Sequence, residues 1–121
     1  MSRNFVAEAL AEHNAGRLDK AQELYRAAIA NDPDDVNAWY LLGVALLGAG
    51  RAQEALGALD AALRIAPDAA EPLYNRALAR LALGRSDAAE ADLRRAVAAR
   101  SDLAEAQALL GRLLATRGAL A

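Results

Sequence analysis

The sequence repeats itself at a fixed interval, which is called here the period. A Gly-Arg pair occurs at 16–17, 50–51 and 84–85, and a Pro-Asp pair occurs at 33–34 and 67–68. Small residues keep the same register between these markers, at Ala21, Ala55 and Ala89. A fixed period of about 34 residues is typical of a solenoid, in which each repeat buries its apolar side only against its neighbours. The sequence therefore predicts a stack of similar units whose surface can hold a partner.

Each period has the pattern of two helices. In residues 36–69 a first apolar stripe has helical spacing and ends before Gly50; it consists of Trp39, Leu42, Gly43 and Leu46. A second stripe ends before Pro67, which cannot donate the backbone hydrogen bond of a continuing helix; it consists of Ala55, Leu59, Ala62 and Leu63. One period therefore predicts a helical hairpin.

Applied to the whole chain, this pattern predicts an all-α fold. Val, Ile and Thr are scarce, whereas the helix formers Ala, Leu, Arg and Glu dominate, so we expect no strand. We expect seven helices near 3–15, 18–31, 35–49, 52–65, 69–83, 86–99 and 103–117. They would form one domain over residues 1–121, with repeats at about 2–35, 36–69 and 70–103 and an unpaired C-terminal helix at 104–118.

Two helix starts carry a capping pattern. Asp68 precedes Glu71 by three residues, and Asp102 precedes Glu105 by the same spacing. In a capping box the first side chain accepts a hydrogen bond from the helix backbone and the acid reaches back to the cap. We therefore expect Asp68 and Asp102 to be the N-caps of the fifth and seventh helices.

Charge and hydropathy exclude several kinds of partner. The formal net charge is −2, and the thirteen Arg and one Lys are interspersed with acidic residues. No basic excess is present to neutralise phosphates, so we expect neither nucleic acid nor an anionic membrane as a partner. No apolar run approaches the roughly 18 residues that a membrane span requires. We expect a soluble, cytoplasmic protein.

The residues that usually carry chemistry are scarce. The chain has no cysteine, and His13 is its only histidine. A zinc site of the usual kind and a Ser-His or Cys-His pair are therefore not expected, and His13 is interpreted as a helix-surface residue. We expect no enzyme, with no catalytic residue, cofactor or metal.

The residues at fixed places in the period resemble the tetratricopeptide repeat. In the second repeat the matching residues are Trp39, Leu42, Gly43, Leu46, Ala55, Leu59, Ala62 and Pro67. The first repeat matches in Phe5, Gly16, Ala21, Tyr25, Ala28 and Pro33, whereas the third has Ser101 where the family has proline. The resemblance covers essentially the whole chain. It implies an α-solenoid of antiparallel helical hairpins wound into a right-handed superhelix.

The resemblance also implies a concave groove, lined by the first helix of each hairpin, that binds an extended peptide or a partner's helix. The residues at the matching positions are Asn37, Tyr40, Leu41, Val44, Glu71, Tyr74, Asn75, Leu78 and Arg112. Tyr40 and Tyr74 are one period apart and would form a two-ring shelf, while Asn37 and Asn75 would hydrogen-bond a peptide backbone. The alternative is that the tyrosines pack on neighbouring helices and the asparagines are only solvated.

One subtype of the family does not match. Domains that bind the C-terminal carboxylate of chaperone tails use Lys, Asn and Arg side chains at fixed groove positions. The matching positions here are Val6, Leu10, Leu41, Glu71 and Asn75. They form no cationic clamp, so we do not expect a receptor for chaperone tails.

The last helix is apolar on several faces, through Leu109, Leu110, Leu113 and Leu114. A terminal repeat normally presents a polar outer side. Either further repeats or another domain follow in a longer protein, or this helix pairs with a second copy to give a homodimer. Two functions stay open: a non-enzymatic module that binds a protein or peptide, or the N-terminal recognition domain of a larger enzyme such as a glycosyltransferase or sulfotransferase.

Overall fold

The computed structural model describes residues 3–120, with side chains up to residue 118. Residues 1, 2 and 121, which the predicted domain includes, lie outside the described residues. The described part contains seven helices and no strand, so the predicted all-α fold is confirmed there. The helices are α1 (Phe5–Asn14), α2 (Leu18–Asn31), α3 (Val36–Gly48), α4 (Ala52–Ile65), α5 (Ala70–Ala82), α6 (Ser86–Ala99) and α7 (Ala104–Leu120).

The helices pack in chain order. α1 with α2, α3 with α4 and α5 with α6 form hairpins, and each second helix also packs on the first helix of the next hairpin. In addition, α3 contacts α5, so the first helices of the second and third hairpins lie side by side. No helix among residues 3–120 combines the length and the apolar character that crossing a membrane requires.

Glycine turns connect the two helices of each hairpin. Gly16, Gly50 and Gly84 have φ values of +83°, +78° and +76°, in the left-handed region that residues with a side chain rarely adopt. After Gly50 the chain turns back so that the Arg51 N–H donates to the Leu46 carbonyl at 2.9 Å. α7 instead continues as a helix through Gly118, which lies one period after Gly84.

The predicted capping boxes are wrong. α5 begins at Ala70 and its N-cap is Ala69, which makes no side-chain cap bond, and α7 begins at Ala104. The period places both helix starts in register with Asp35, whose carboxylate does cap α3 by accepting from the Ala38 N–H at 3.1 Å. Asp68 and Asp102 stand one residue too early in the sequence to do the same.

Close packing inside the hairpins depends on small residues facing large ones. In the second hairpin, a Cβ added to Gly43 would lie 2.7 Å from Leu59 Cγ, so Gly43 leaves the space that Leu59 fills. Leu59 and the equivalent Tyr25 and Leu93 are fully buried. Trp39 is only half-buried, and its indole N–H donates to the Pro33 carbonyl at 2.8 Å.

The third hairpin replaces part of this apolar packing with ions. Asp92 is 1% exposed and accepts from Arg76 at 2.8 and 3.1 Å and from Arg80 at 2.8 Å. Arg76 also donates to Asp60 on α4 at 3.1 Å. Burial by itself would lower the pKa of Arg76, but hydrogen bonds and charge from Asp92 and Asp60 outweigh it, so the pKa is raised. Arg76 is therefore held as a cation by acids from two neighbouring helices.

Candidate partner-binding cleft

Two adjoining clefts run across the first helices α3 and α5 to the start of α7. The first encloses about 370 Å³ and is lined by Val36, Asn37, Tyr40, Ala69, Glu71 and Pro72. The second encloses about 380 Å³ and is lined by Tyr40, Glu71, Tyr74, Asn75, Arg100, Leu103 and Glu105. Because Tyr40 and Glu71 line both clefts, the two clefts form one continuous surface, called here the tyrosine cleft.

The period of the sequence places the cleft side chains in rows. Tyr40 and Tyr74 occupy equivalent positions on α3 and α5, and both are half-buried. Asn37, Glu71 and Glu105 form a second row across α3, α5 and α7. Since α3 and α5 lie side by side, Tyr40 and Tyr74 follow one another across the cleft, and Glu71 and Glu105 line it together. The cleft thus offers aromatic rings beside carboxylates.

Asn75 is engaged within the protein. Its Nδ2 donates to the Glu71 carbonyl at 2.9 Å. Burial raises the pKa of the Tyr40 phenol, and the neighbouring Asn75 side chain offsets part of the rise. A ligand backbone that used the Asn75 Nδ2 would have to compete with its bond to the Glu71 carbonyl. Asn37, in contrast, is exposed.

Charges gather where the cleft reaches the start of α7. The Arg100 guanidinium forms ion pairs with Glu71 and with Asp102, the latter at 3.1 Å. Glu105 lines the same end of the cleft and is exposed. Two carboxylates, those of Glu71 and Glu105, therefore line this end of the cleft with the Arg100 guanidinium, which Asp102 also contacts.

The other predicted groove residues lie outside the tyrosine cleft lining. Leu41 is half-buried and packs against the core cluster of the first two hairpins. Val44 and Leu78 are also half-buried, and Arg112 is exposed on α7. The structure therefore brings together Asn37, Tyr40, Glu71, Tyr74 and Asn75, but not the remaining four candidates.

Sequence reasoning missed six residues of the cleft lining, which are Val36, Ala69, Pro72, Arg100, Leu103 and Glu105. The period contains the signal for Glu105, because this residue lies one period after Glu71. No comparable signal exists for Arg100 and Leu103, since they belong to the connection between α6 and α7 rather than to the face of a first helix.

His13 is not the free surface residue that the sequence suggested. It is half-buried, and its Nδ1 lies 3.1 Å from the hydroxyl of Tyr25. The two rings meet edge to face, with centroids 6.1 Å apart. Burial raises the pKa of Tyr25, so its hydroxyl stays protonated at neutral pH. The pair ties α1 to α2.

Of the predicted self-association residues, Leu109, Leu110 and Leu113 are half-buried against the core cluster of the third hairpin. Leu114 is 37% exposed. Beside them, a Cβ added to Gly111 would meet no atom within 4 Å, whereas the equivalent Gly43 faces Leu59. One side of α7 thus keeps an open position where the second hairpin has a helix.

The tetratricopeptide repeat family model matches residues 6–70 and 74–121. Among solved structures, the first TPR of Spaghetti (RPAP3) bound to the HSP90 peptide SRMEEVD gives a TM-score of 0.90 at 18% identity, over 94% of this chain and 90% of that one. The Arabidopsis OM64 TPR domain gives 0.87 at 23% identity, over 90% of each chain. MamA gives 0.84 at 23% identity, over 98% of this chain and 67% of that one. A comparison with curated proteins finds no match.

Proposed function

This chain belongs to the tetratricopeptide repeat family, and from that premise we propose that it is a protein-interaction module that binds an extended peptide or a partner's helix in its concave groove. The groove is centred on the tyrosine cleft. The module acts by holding its partner, without catalysing a reaction.

The observation that carries this proposal is the pair of half-buried tyrosines in equivalent positions on adjacent first helices, Tyr40 and Tyr74. Aromatic side chains bury a large area on binding at a low cost in side-chain entropy, and they are enriched at the energetic centres of interfaces. Because both side chains are already half-buried, they are partly ordered before a ligand arrives, which reduces the ordering cost of binding.

A structural neighbour gives a precedent, since the first TPR of Spaghetti was solved bound to an HSP90 peptide. The likeness concerns the fold, so it supports a peptide-binding role without identifying the peptide. The groove positions Val6, Leu10 and Leu41 carry no cation that would bind a terminal carboxylate. We therefore propose a ligand other than an acidic chaperone tail.

The test is a pull-down with the wild type and a Tyr40→Ala/Tyr74→Ala variant. Removing an aromatic anchor typically costs about 2 kcal/mol of binding free energy. The double variant should therefore bind its partners at least thirtyfold more weakly. Both side chains are only half-buried, so circular dichroism should show an intact helical fold.

The matched control is Ile65→Ala, which removes an apolar side chain that is 39% exposed at the end of α4. It should keep every partner. If all partners survive the tyrosine replacements while the fold is intact, the groove assignment is wrong. If Ile65→Ala loses the same partners, binding uses another face.

We further propose that α7 pairs with the α7 of a second copy to give a homodimer. The support is the exposed Leu114 beside the open position at Gly111, where close helix approach is permitted. Sedimentation equilibrium should give a dimer for the wild type and for Ile65→Glu, and a monomer for Leu114→Glu. A wild type that is monomeric at the highest concentration contradicts self-pairing.

A further inference from the structure

We propose that the tyrosine cleft selects peptides that carry lysine or arginine, an inference that rests on the proposed function. The cationic side chain would lie against the Tyr40 and Tyr74 rings with its charged end near Glu105. Peptides whose corresponding residues are acidic would be rejected.

The first argument is charge. Glu71 and Glu105 line one end of the cleft together with Arg100, whose guanidinium is shared between Glu71 and Asp102. The next cation along α7 is Arg112, seven residues after Glu105, which corresponds to about 10 Å of helix. That distance is about one Debye length in physiological salt, so Arg112 screens Glu105 only weakly. This end of the cleft therefore favours a positive charge.

The second argument is the combination of side chains. A cation over the face of a tyrosine ring is attracted by the electrons of the ring, and the attraction strengthens when water is partly excluded. The stems of lysine and arginine are apolar and pack along hydrophobic surface while the charged group stays near water. Tyr40 and Tyr74 with the buried Leu103 supply that surface, and Glu105 supplies an exposed carboxylate at its rim.

The third argument is discrimination. The peptide SRMEEVD, bound by the structural neighbour, has one arginine near its start and three acidic side chains in its last four residues. In this cleft such residues would meet Glu71 and Glu105 with no clamp of lysines to receive them. Like charges brought together reduce affinity, so the same side chains that attract a cation exclude an acidic tail.

The experiment is a selection from a random twelve-residue peptide library on the wild type, followed by synthesis of the best peptide. Fluorescence anisotropy then compares its affinity for the wild type, Glu105→Gln and the control Glu23→Gln, which removes an exposed acid on α2. Lys and Arg should be enriched in the selected peptides. Glu105→Gln should weaken binding about threefold, as loss of an exposed ion pair does, whereas Glu23→Gln should leave it unchanged. The selected peptide with its Lys and Arg residues replaced by Glu should bind at least tenfold more weakly.

The outcomes separate the two proposals. Selected peptides that need Tyr40 and Tyr74 but show no Lys or Arg enrichment, or that bind Glu105→Gln as well as the wild type, overturn the cationic preference alone. A Glu-substituted peptide that binds as tightly as the selected peptide overturns it too. If no selected peptide depends on the two tyrosines, the groove function fails and this inference fails with it.

Discussion

The second and third hairpins have the same backbone plan but different interiors. Leu42, Leu46 and Ala58 are buried in the second hairpin, and one period later the same positions hold Arg76, Arg80 and Asp92. The helices pair in both cases, so the hairpin geometry requires that these positions be filled and satisfied, not that they be apolar. The Asp92 carboxylate serves both arginines, which is why two cations can replace two leucines.

The apolar interior of the second hairpin and the ion network of the third should respond differently to the loss of a side chain. An apolar contact that loses atoms leaves a cavity, and its cost follows the volume lost. An ion network that loses one member leaves charges buried without a partner, which costs far more than the network contributes when intact. The third hairpin should therefore be the more fragile towards single replacements.

Asp92→Ala should give the largest effect. It removes the acid shared by Arg76 and Arg80 and leaves both cations partly buried, so the free energy of unfolding should fall by about 3–5 kcal/mol. Urea denaturation followed by circular dichroism measures it. Asp60→Ala is the matched control, because Asp60 is 39% exposed and should cost much less. Equal losses would show that burial does not set the difference.

Replacing the ion network of the third hairpin with the side chains of the second should not lower the free energy of unfolding. The triple variant Arg76→Leu/Arg80→Leu/Asp92→Ala restores the side chains of the equivalent positions. Replacing a buried ion network by apolar groups is often neutral or stabilising, by about 1–4 kcal/mol. The midpoint of urea unfolding should stay or rise. A marked fall would mean that the ions contribute net stability that the apolar set cannot replace.

The small residue Gly43 gives a second way to compare the two hairpins. Gly43→Ala brings a Cβ to 2.7 Å from Leu59 Cγ, so overpacking should cost about 1–3 kcal/mol. The third hairpin already carries Ala77 at this place and buries it. Gly57→Ala, at an exposed position inside α4, meets no neighbouring atom and should stabilise the helix by about 1 kcal/mol. Equal effects in thermal unfolding would contradict the close contact at Gly43.

The smallest expected effect concerns pH. Glu90 holds ion pairs with Arg94 and Arg117 where the second hairpin has the buried Leu56. The hydrogen bond from Arg94, followed by that from Arg117, lowers the pKa of Glu90. Its stabilisation is present above the ordinary glutamate pKa and is lost as pH falls through the lowered value. Wild type and Glu90→Gln should differ slightly in thermal unfolding at pH 7 and converge in acid. A difference that persists at low pH would exclude this cause.

The period accounts for most of what could be predicted. Helices α2, α4 and α6 begin and end where the sequence placed them, because glycine turns and extended connections mark both ends. The same register identified Tyr40 and Tyr74. The N-cap predicted at Asp68 was wrong because a capping pattern is local, whereas the start of α5 keeps the register of the repeat.

The ion network could not be predicted from the repeat pattern, because its residues are those that do not fit the pattern. Arg76 stands where the second repeat has Leu42, and a charge at a core position demands a partner. Finding that partner requires the directions of side chains on three helices, because Asp92 lies on α6 and Asp60 on α4. Spacing along one chain does not contain those directions.

The bond between Arg76 and Asp60 crosses from one repeat into the preceding one, and it makes the order of the units chemically specific. If the third unit were duplicated in tandem, the new copy of Arg76 would face Arg94, which stands one period after Asp60, and two guanidinium groups would repel each other. Duplicating the third unit in tandem would therefore require a compensating charge change at that junction. Duplicating the second unit would not, because it has Leu42 at the position of Arg76.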